Sequence, residues 1–155
     1  MFKNLPTLLM TASLLFAPLS TAYAQPMMPQ LVQNEIIQLA NGPTSGSSCV
    51  ITSLFPAFYG QIPGAGGKVA VGLIDNDSEN CGSAFVTTKV VAYSVDGSAY
   101  HQIALPAQLD TLQIQKILSV TPLDAGFKFT VLYRGPSDPM CCAKQQAVFS
   151  VKVPE

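Results

Sequence analysis

Ala84–Leu105 reads AFVTTKVVAYSVDGSAYHQIAL. A run rich in β-branched and aromatic residues, Ala84–Val95, meets Asp96-Gly97 and then a second run, Tyr100–Leu105. An Asp-Gly pair adopts the left-handed conformations that a two-residue hairpin needs, so this stretch predicts two neighbouring antiparallel strands. Downstream, Asp124-Ala125-Gly126 gives a second hairpin signal between Ile114–Thr121 and Phe127–Tyr133, and Gln146–Val153 follows as a further strand. Upstream, Cys49–Leu54 and Lys68–Ile74 complete the set. Phe127, Phe129 and Val131 alternate with Lys128, Thr130 and Leu132, as Phe149, Val151 and Val153 alternate with Val148, Ser150 and Lys152. That period of two leaves one face of these strands wet.

A single helix precedes the strands. Pro29–Asn41 sets Val32, Ile36 and Leu39 at i, i+4 and i+7, and Asn41-Gly42-Pro43 ends it, because Gly accepts the left-handed turn and Pro cannot continue. No helical pattern falls between strands, as a parallel sheet would require. The expected fold is therefore α+β: an N-terminal helix packed on an antiparallel, hairpin-linked β-sheet. Leu54–Gly67, LFPAFYGQIPGAGG, reads as a loop or broken strand carrying Phe55, Phe58, Tyr59 and Ile62. Aromatics on irregular backbone can form a partner-contact loop; the plainer reading folds them back over the core.

The 155 residues include 48% apolar and 11% charged side chains, which argues against intrinsic disorder. Eight Lys and Arg against nine Asp and Glu, with no basic run, disfavour nucleic acid as a partner. Met1–Ala24, MFKNLPTLLMTASLLFAPLSTAYA, has an early Lys, a short apolar stretch and Ala22-Tyr23-Ala24. These are the parts of a secretory signal peptide, with cleavage expected after Ala24 and one domain over residues 25–155. The stretch is too short to span a bilayer, so no stable membrane anchor is expected after cleavage.

Export places Cys49, Cys81, Cys141 and Cys142 in an oxidising compartment, secreted or periplasmic, where disulfides are expected. A bond between neighbours closes a small ring, whereas adjacent residues of an extended segment point to opposite sides. Two long-range bridges are expected to staple the sheet, from Cys141 and Cys142 to Cys49 and Cys81, in either pairing.

Motifs for chemistry are sparse. Gly66-Gly67-Lys68 lacks the first glycine and the final Ser or Thr of a phosphate loop and leads into a strand. His101 is the only histidine, and no serine stands in G-x-S-x-G, so no triad is indicated. No cofactor is expected. Asp75, Asp77 and Glu79 form the one acidic cluster, where alternating carboxylates could gather around Ca²⁺ or serve a small hydrolase. Asn80 and Val86 stand where an EF-hand loop needs Gly and Glu, and a solvated turn is the plainer reading.

Asp138-Pro139-Met140-Cys141-Cys142, between two strands, is similar to a segment of small exported bacterial proteins of the LppP/LprE lipoprotein group. In that group an Asp-Pro-x-Cys-Cys turn precedes a closing strand, and an acidic turn follows an earlier strand, here Ile74–Glu79. The likeness covers the C-terminal two-thirds and is specific over Asp138–Cys142. The chain departs from the group in lacking a lipidation cysteine and in having Ala143 where Pro often follows. The resemblance implies export and fold; it implies neither tethering nor an activity. The whole reading is a secreted or periplasmic, non-enzymatic binding or envelope-associated protein, with an inhibitor of a secreted enzyme as its sharper form. Its partner would be a protein or envelope component, with Phe55, Phe58 and Tyr59 as the contact.

Overall fold

The computed structural model describes residues 27–42, 51–76, 88–139 and 141–154. Among the described residues, one helix, α1 (Gln30–Asn41), is followed by seven strands: β1 (Ile51–Gln61), β2 (Lys68–Asn76), β3 (Thr88–Asp96), β4 (Ala99–Gln102), β5 (Gln113–Leu123), β6 (Gly126–Arg134) and β7 (Gln145–Lys152). A 3-10 helix, Ala107–Thr111, stands between β4 and β5. All strand pairs are antiparallel, but they form two sheets rather than one, in the orders β1-β2-β3-β4 and β5-β6-β7. The expectation of a single sheet is corrected at the end of β4. There the Ile103 N–H donates to the Ala92 carbonyl at 2.9 Å, the last ladder-like bond, and the chain turns away through Pro106. Ile103 and Leu109 are buried from this connection, so it is drawn inward instead of forming a hairpin.

The central strands of the first sheet, β2 and β3, are buried on both faces. Along β2, Val69, Val71 and Leu73 join a cluster with Phe127, Phe129 and Val131 of β6, which fills the space between the sheets. Ala70 and Ile74 point the other way, into a cluster with Tyr59, Val91, Tyr93 and, from α1 and its approach, Met28, Val32 and Ile36. A strand covered on both faces reads as one apolar run, and β2 does so from Val69 to Ile74. The second sheet keeps the wet face that the alternation predicts, since Lys128, Val148, Ser150 and Lys152 are exposed. Leu39, placed by spacing on the buried stripe of α1, is 46% exposed; the buried stripe is Val32 and Ile36. Asn41 holds the helix end to the start of β1, donating from Nδ2 to the Ile51 carbonyl at 3.0 Å and accepting the Ile51 N–H on Oδ1 at 2.6 Å.

The segment Leu54–Gly67, expected as a loop or broken strand, is for most of its length strand β1, which continues to Gln61. Pro56 does not stop it, because β1 lies at a sheet edge and a register shift between Pro56 and Phe58 absorbs the ring. The hairpin itself closes at Pro63-Gly64, where Gly64 has φ 76°. The second hairpin also differs in detail from its sequence signal. Ala125, not Gly126, takes the left-handed conformation (φ 51°), and Gly126 begins β6 where a Cβ would run into the Val151 carbonyl oxygen.

Candidate functional site

The connection from β6 to β7, Gly135–Lys144, carries the most organised polar geometry among the described residues. It is built on Asp138. One carboxylate oxygen, Oδ2, accepts the Gly135 N–H at 2.8 Å and the Lys144 N–H at 3.3 Å, which joins the two ends of the connection. In return the Asp138 N–H donates to the Gly135 carbonyl at 3.1 Å, and the Cys142 N–H donates to the Pro139 carbonyl at 3.1 Å. The Ala143 N–H reaches Gln115 Oε1 of β5 at 3.0 Å, so the connection folds across the end of β6. A Cβ at Gly135 would lie 3.0 Å from Gln145 Cγ, a tight contact that the exposed Gln145 side chain would have to relieve by shifting.

At the tip, Cys141 and Cys142 are bonded to each other, their Cα atoms 3.8 Å apart, and both are exposed. This corrects the expected bridges from this pair to Cys49 and Cys81. The reason lies in the backbone. The expectation assumed an extended segment with alternate side chains, whereas the pair sits in a turn that ends before β7 starts at Gln145. Cys49 and Cys81 lie outside the described residues.

The donors that hold Asp138 also set its acidity. The Gly135 N–H foremost, then the Lys144 N–H and charge and the Gln145 side chain, hold its carboxyl below the usual carboxylate range, against a smaller opposing effect of burial. A carboxyl so engaged is a clasp and is poorly suited to giving up a proton as a general acid near neutral pH. The unfolded chain has no such donors, so the ionised clasp adds stability above the ordinary Asp pKa of about 3.9. That contribution is lost as pH falls through the lower folded value. In an acid titration followed by NMR, the Gly135 amide proton is expected to shift with a midpoint below about 3.9, and D138N is expected to abolish the shift. A midpoint at or above the ordinary value would remove the clasp from the account.

The other sequence candidates are dispersed. Phe58 and Tyr59 are buried on opposite faces of the first sheet, in the two separate clusters, and only Phe55 of the trio is exposed, at 55%. The Tyr59 ring is further covered by Lys68, whose Nζ lies 5.1 Å from its centroid. Asp75 is half-buried near the end of β2, opposite Thr88 and Ser53, while Asp77 and Glu79 lie outside the described residues. No three His, Cys, Asp or Glu side chains gather as a metal site among the described residues. His101 is exposed on the edge strand β4. A groove of about 580 Å³ runs beside β3, lined by Leu39, Ile51, Lys89, Tyr93 and Leu105 among others, and burial pushes the Tyr93 phenol up. A second hollow, about 630 Å³, lies at the start of α1 against Pro56 and Tyr59.

The clasp residues Gly135, Lys144 and Gln115 were not singled out by sequence reading. Asp138-Pro139 marks a turn, but nothing local signals that its carboxylate returns to Gly135 or that Gln115 comes from another strand. Among the described residues no helix is long and apolar enough to cross a membrane. No family model, curated protein or solved structure matches the chain.

Proposed function

We propose that the chain is an exported, non-enzymatic binding protein of the secreted or periplasmic space that presents the Cys141-Cys142 turn to a protein or envelope component. The observation that carries this reading is the exposed Cys141–Cys142 bond on a turn clasped by Asp138. An exposed disulfide persists where thiols are not kept reduced, outside the cytosol. A turn fixed before contact loses little conformational freedom on binding, which favours recognition, including inhibition of a secreted enzyme. The reading includes the leader over Met1–Ala24 and the kinship of Asp138–Cys142 with the LppP/LprE group.

The scaffold behind the turn is α1 seated on the first sheet, with a second disulfide. Since Cys141 and Cys142 satisfy each other, Cys49 and Cys81 are left as partners. Cys49 precedes Ile51 by two residues and Cys81 follows Asn76 by five, and Ile51 and Asn76 are paired across β1 and β2. Proteolytic mapping of the unreduced exported chain is expected to recover a peptide in which Cys49 is linked to Cys81. A peptide linking either of them to Cys141 or Cys142 would overturn this assignment.

The binding role is tested by passing the exported fraction of the producing cells over the immobilised oxidised chain. A stoichiometric partner is expected, retained by F55A and lost by C141S/C142S while circular dichroism stays unchanged. A partner that survives C141S/C142S places the contact elsewhere, and absence of any stoichiometric partner defeats the reading. F58A and Y59A are unsuitable as surface probes, because both side chains are buried.

A further inference from the structure

Among the described strands, two sheets leave four outer edges, on β1, β4, β5 and β7, and three of them carry features that hinder pairing with another chain. β1 contains Pro56 and two register shifts, β4 has only four residues, and β5 has two register shifts and Pro122. β7 is different. Its register on β6 runs without a shift from Tyr133↔Gln145 to Gly126↔Lys152. It has no proline, its one charged residue is Lys152, and Val148 on its solvent face is 60% exposed. No described strand pairs with its outer edge.

We propose that β7 is a self-recognition edge, on which two copies of the chain pair antiparallel about a two-fold axis at Phe149, joining two three-stranded sheets into one of six strands. Residues opposed across an antiparallel pair must point to the same face, so β7 meets its own copy with the axis at a residue. Two registers overlap nearly the whole strand. Centring on Val148 sets Lys144 opposite Lys152 at both ends, a like-charge pairing that destabilises. Centring on Phe149 sets Gln146 opposite Lys152 and Val148 opposite Ser150, with no like charges facing. It also brings the two half-buried Phe149 rings together on the face where Phe149 already stacks on Phe129, centroids 5.5 Å apart, and so continues an aromatic row. Such an interface is isologous and closes at two copies.

Sedimentation velocity on the full exported, oxidised chain over a range of concentrations tests the proposal. A reversible dimer is expected. V148K/S150K sets new like charges opposite each other and should weaken the dimer by at least about tenfold. V148K/S150E sets opposite charges across the same axis and should preserve it; in the Val148-centred register the two new ammonium groups would instead face each other. Both positions are exposed, so folding should persist by circular dichroism. In the parent chain, slower amide exchange along β7 with rising concentration should accompany dimerisation. A chain that stays monomeric leaves the edge to another protein's strand and overturns the proposal. A dimer indifferent to V148K/S150K, or lost equally in V148K/S150E, overturns it too.

Discussion

Phe129→Ala is expected to lower the unfolding free energy by about 3–5 kcal/mol, a large share of the 5–15 kcal/mol typical of a domain. Phe129 has no exposed surface and lies between Phe127 and Phe149, with ring centroids 5.9 and 5.5 Å away. It belongs to the cluster that joins both sheets, so the missing ring leaves a cavity that neither sheet can close alone. Val148→Ala, on the solvent face one strand away, should change stability by no more than about 0.5 kcal/mol. Urea unfolding of both variants at a concentration below that of any self-association separates the two effects. A loss under about 1 kcal/mol for Phe129→Ala would mean that the sheets do not pack through this ring.

The second large effect is expected at Gly126. An added methyl there meets the main-chain carbonyl of Val151 in the neighbouring strand, an atom that no rotamer change moves aside. Gly126→Ala should therefore cost about 2–3 kcal/mol, as overpacking does when backbone must shift. The adjacent position should respond in the opposite sense. Ala125 holds φ 51°, so Ala125→Gly relieves left-handed strain and is expected to be neutral or stabilising by less than about 1 kcal/mol. Thermal melts of the two variants test this contrast, and a destabilising Ala125→Gly beside a tolerated Gly126→Ala would show that the turn is placed one residue out.

These neighbours show how far the sequence was legible. Asp124-Ala125-Gly126 announced a hairpin correctly, because a reversal with a glycine between alternating runs has few other solutions. Which residue would bear the left-handed conformation depended on how closely β7 approaches, and that is a tertiary fact. The same division holds elsewhere. The helix over Gln30–Asn41 was readable from Val32 and Ile36 and from Gly42, whose N–H caps the Leu39 carbonyl at 3.2 Å. The length of β1 was not, since Pro56 and Gly60 read as breakers until an edge position and a register shift accommodate them. For the candidate site, Asp138–Cys142 stood out as a segment, but its internal disulfide did not. Whether adjacent cysteines point apart depends on backbone shape, and here a turn replaced the extended strand assumed for them.

The burial of β2 on both faces has a bearing on how the molecule is made. Val69–Ile74, VAVGLI, is a six-residue stretch with strong strand preference and no charge, the type that seeds aggregates when uncovered in a nascent or translocating polypeptide. Lys68 and Asp75 bracket it immediately on either side, as gatekeeper charges do around unavoidable sticky segments. Replacing that pair with neutral residues would strip the segment of its guards and trouble its biogenesis, besides removing the Lys68 contact with Tyr59 from the finished molecule.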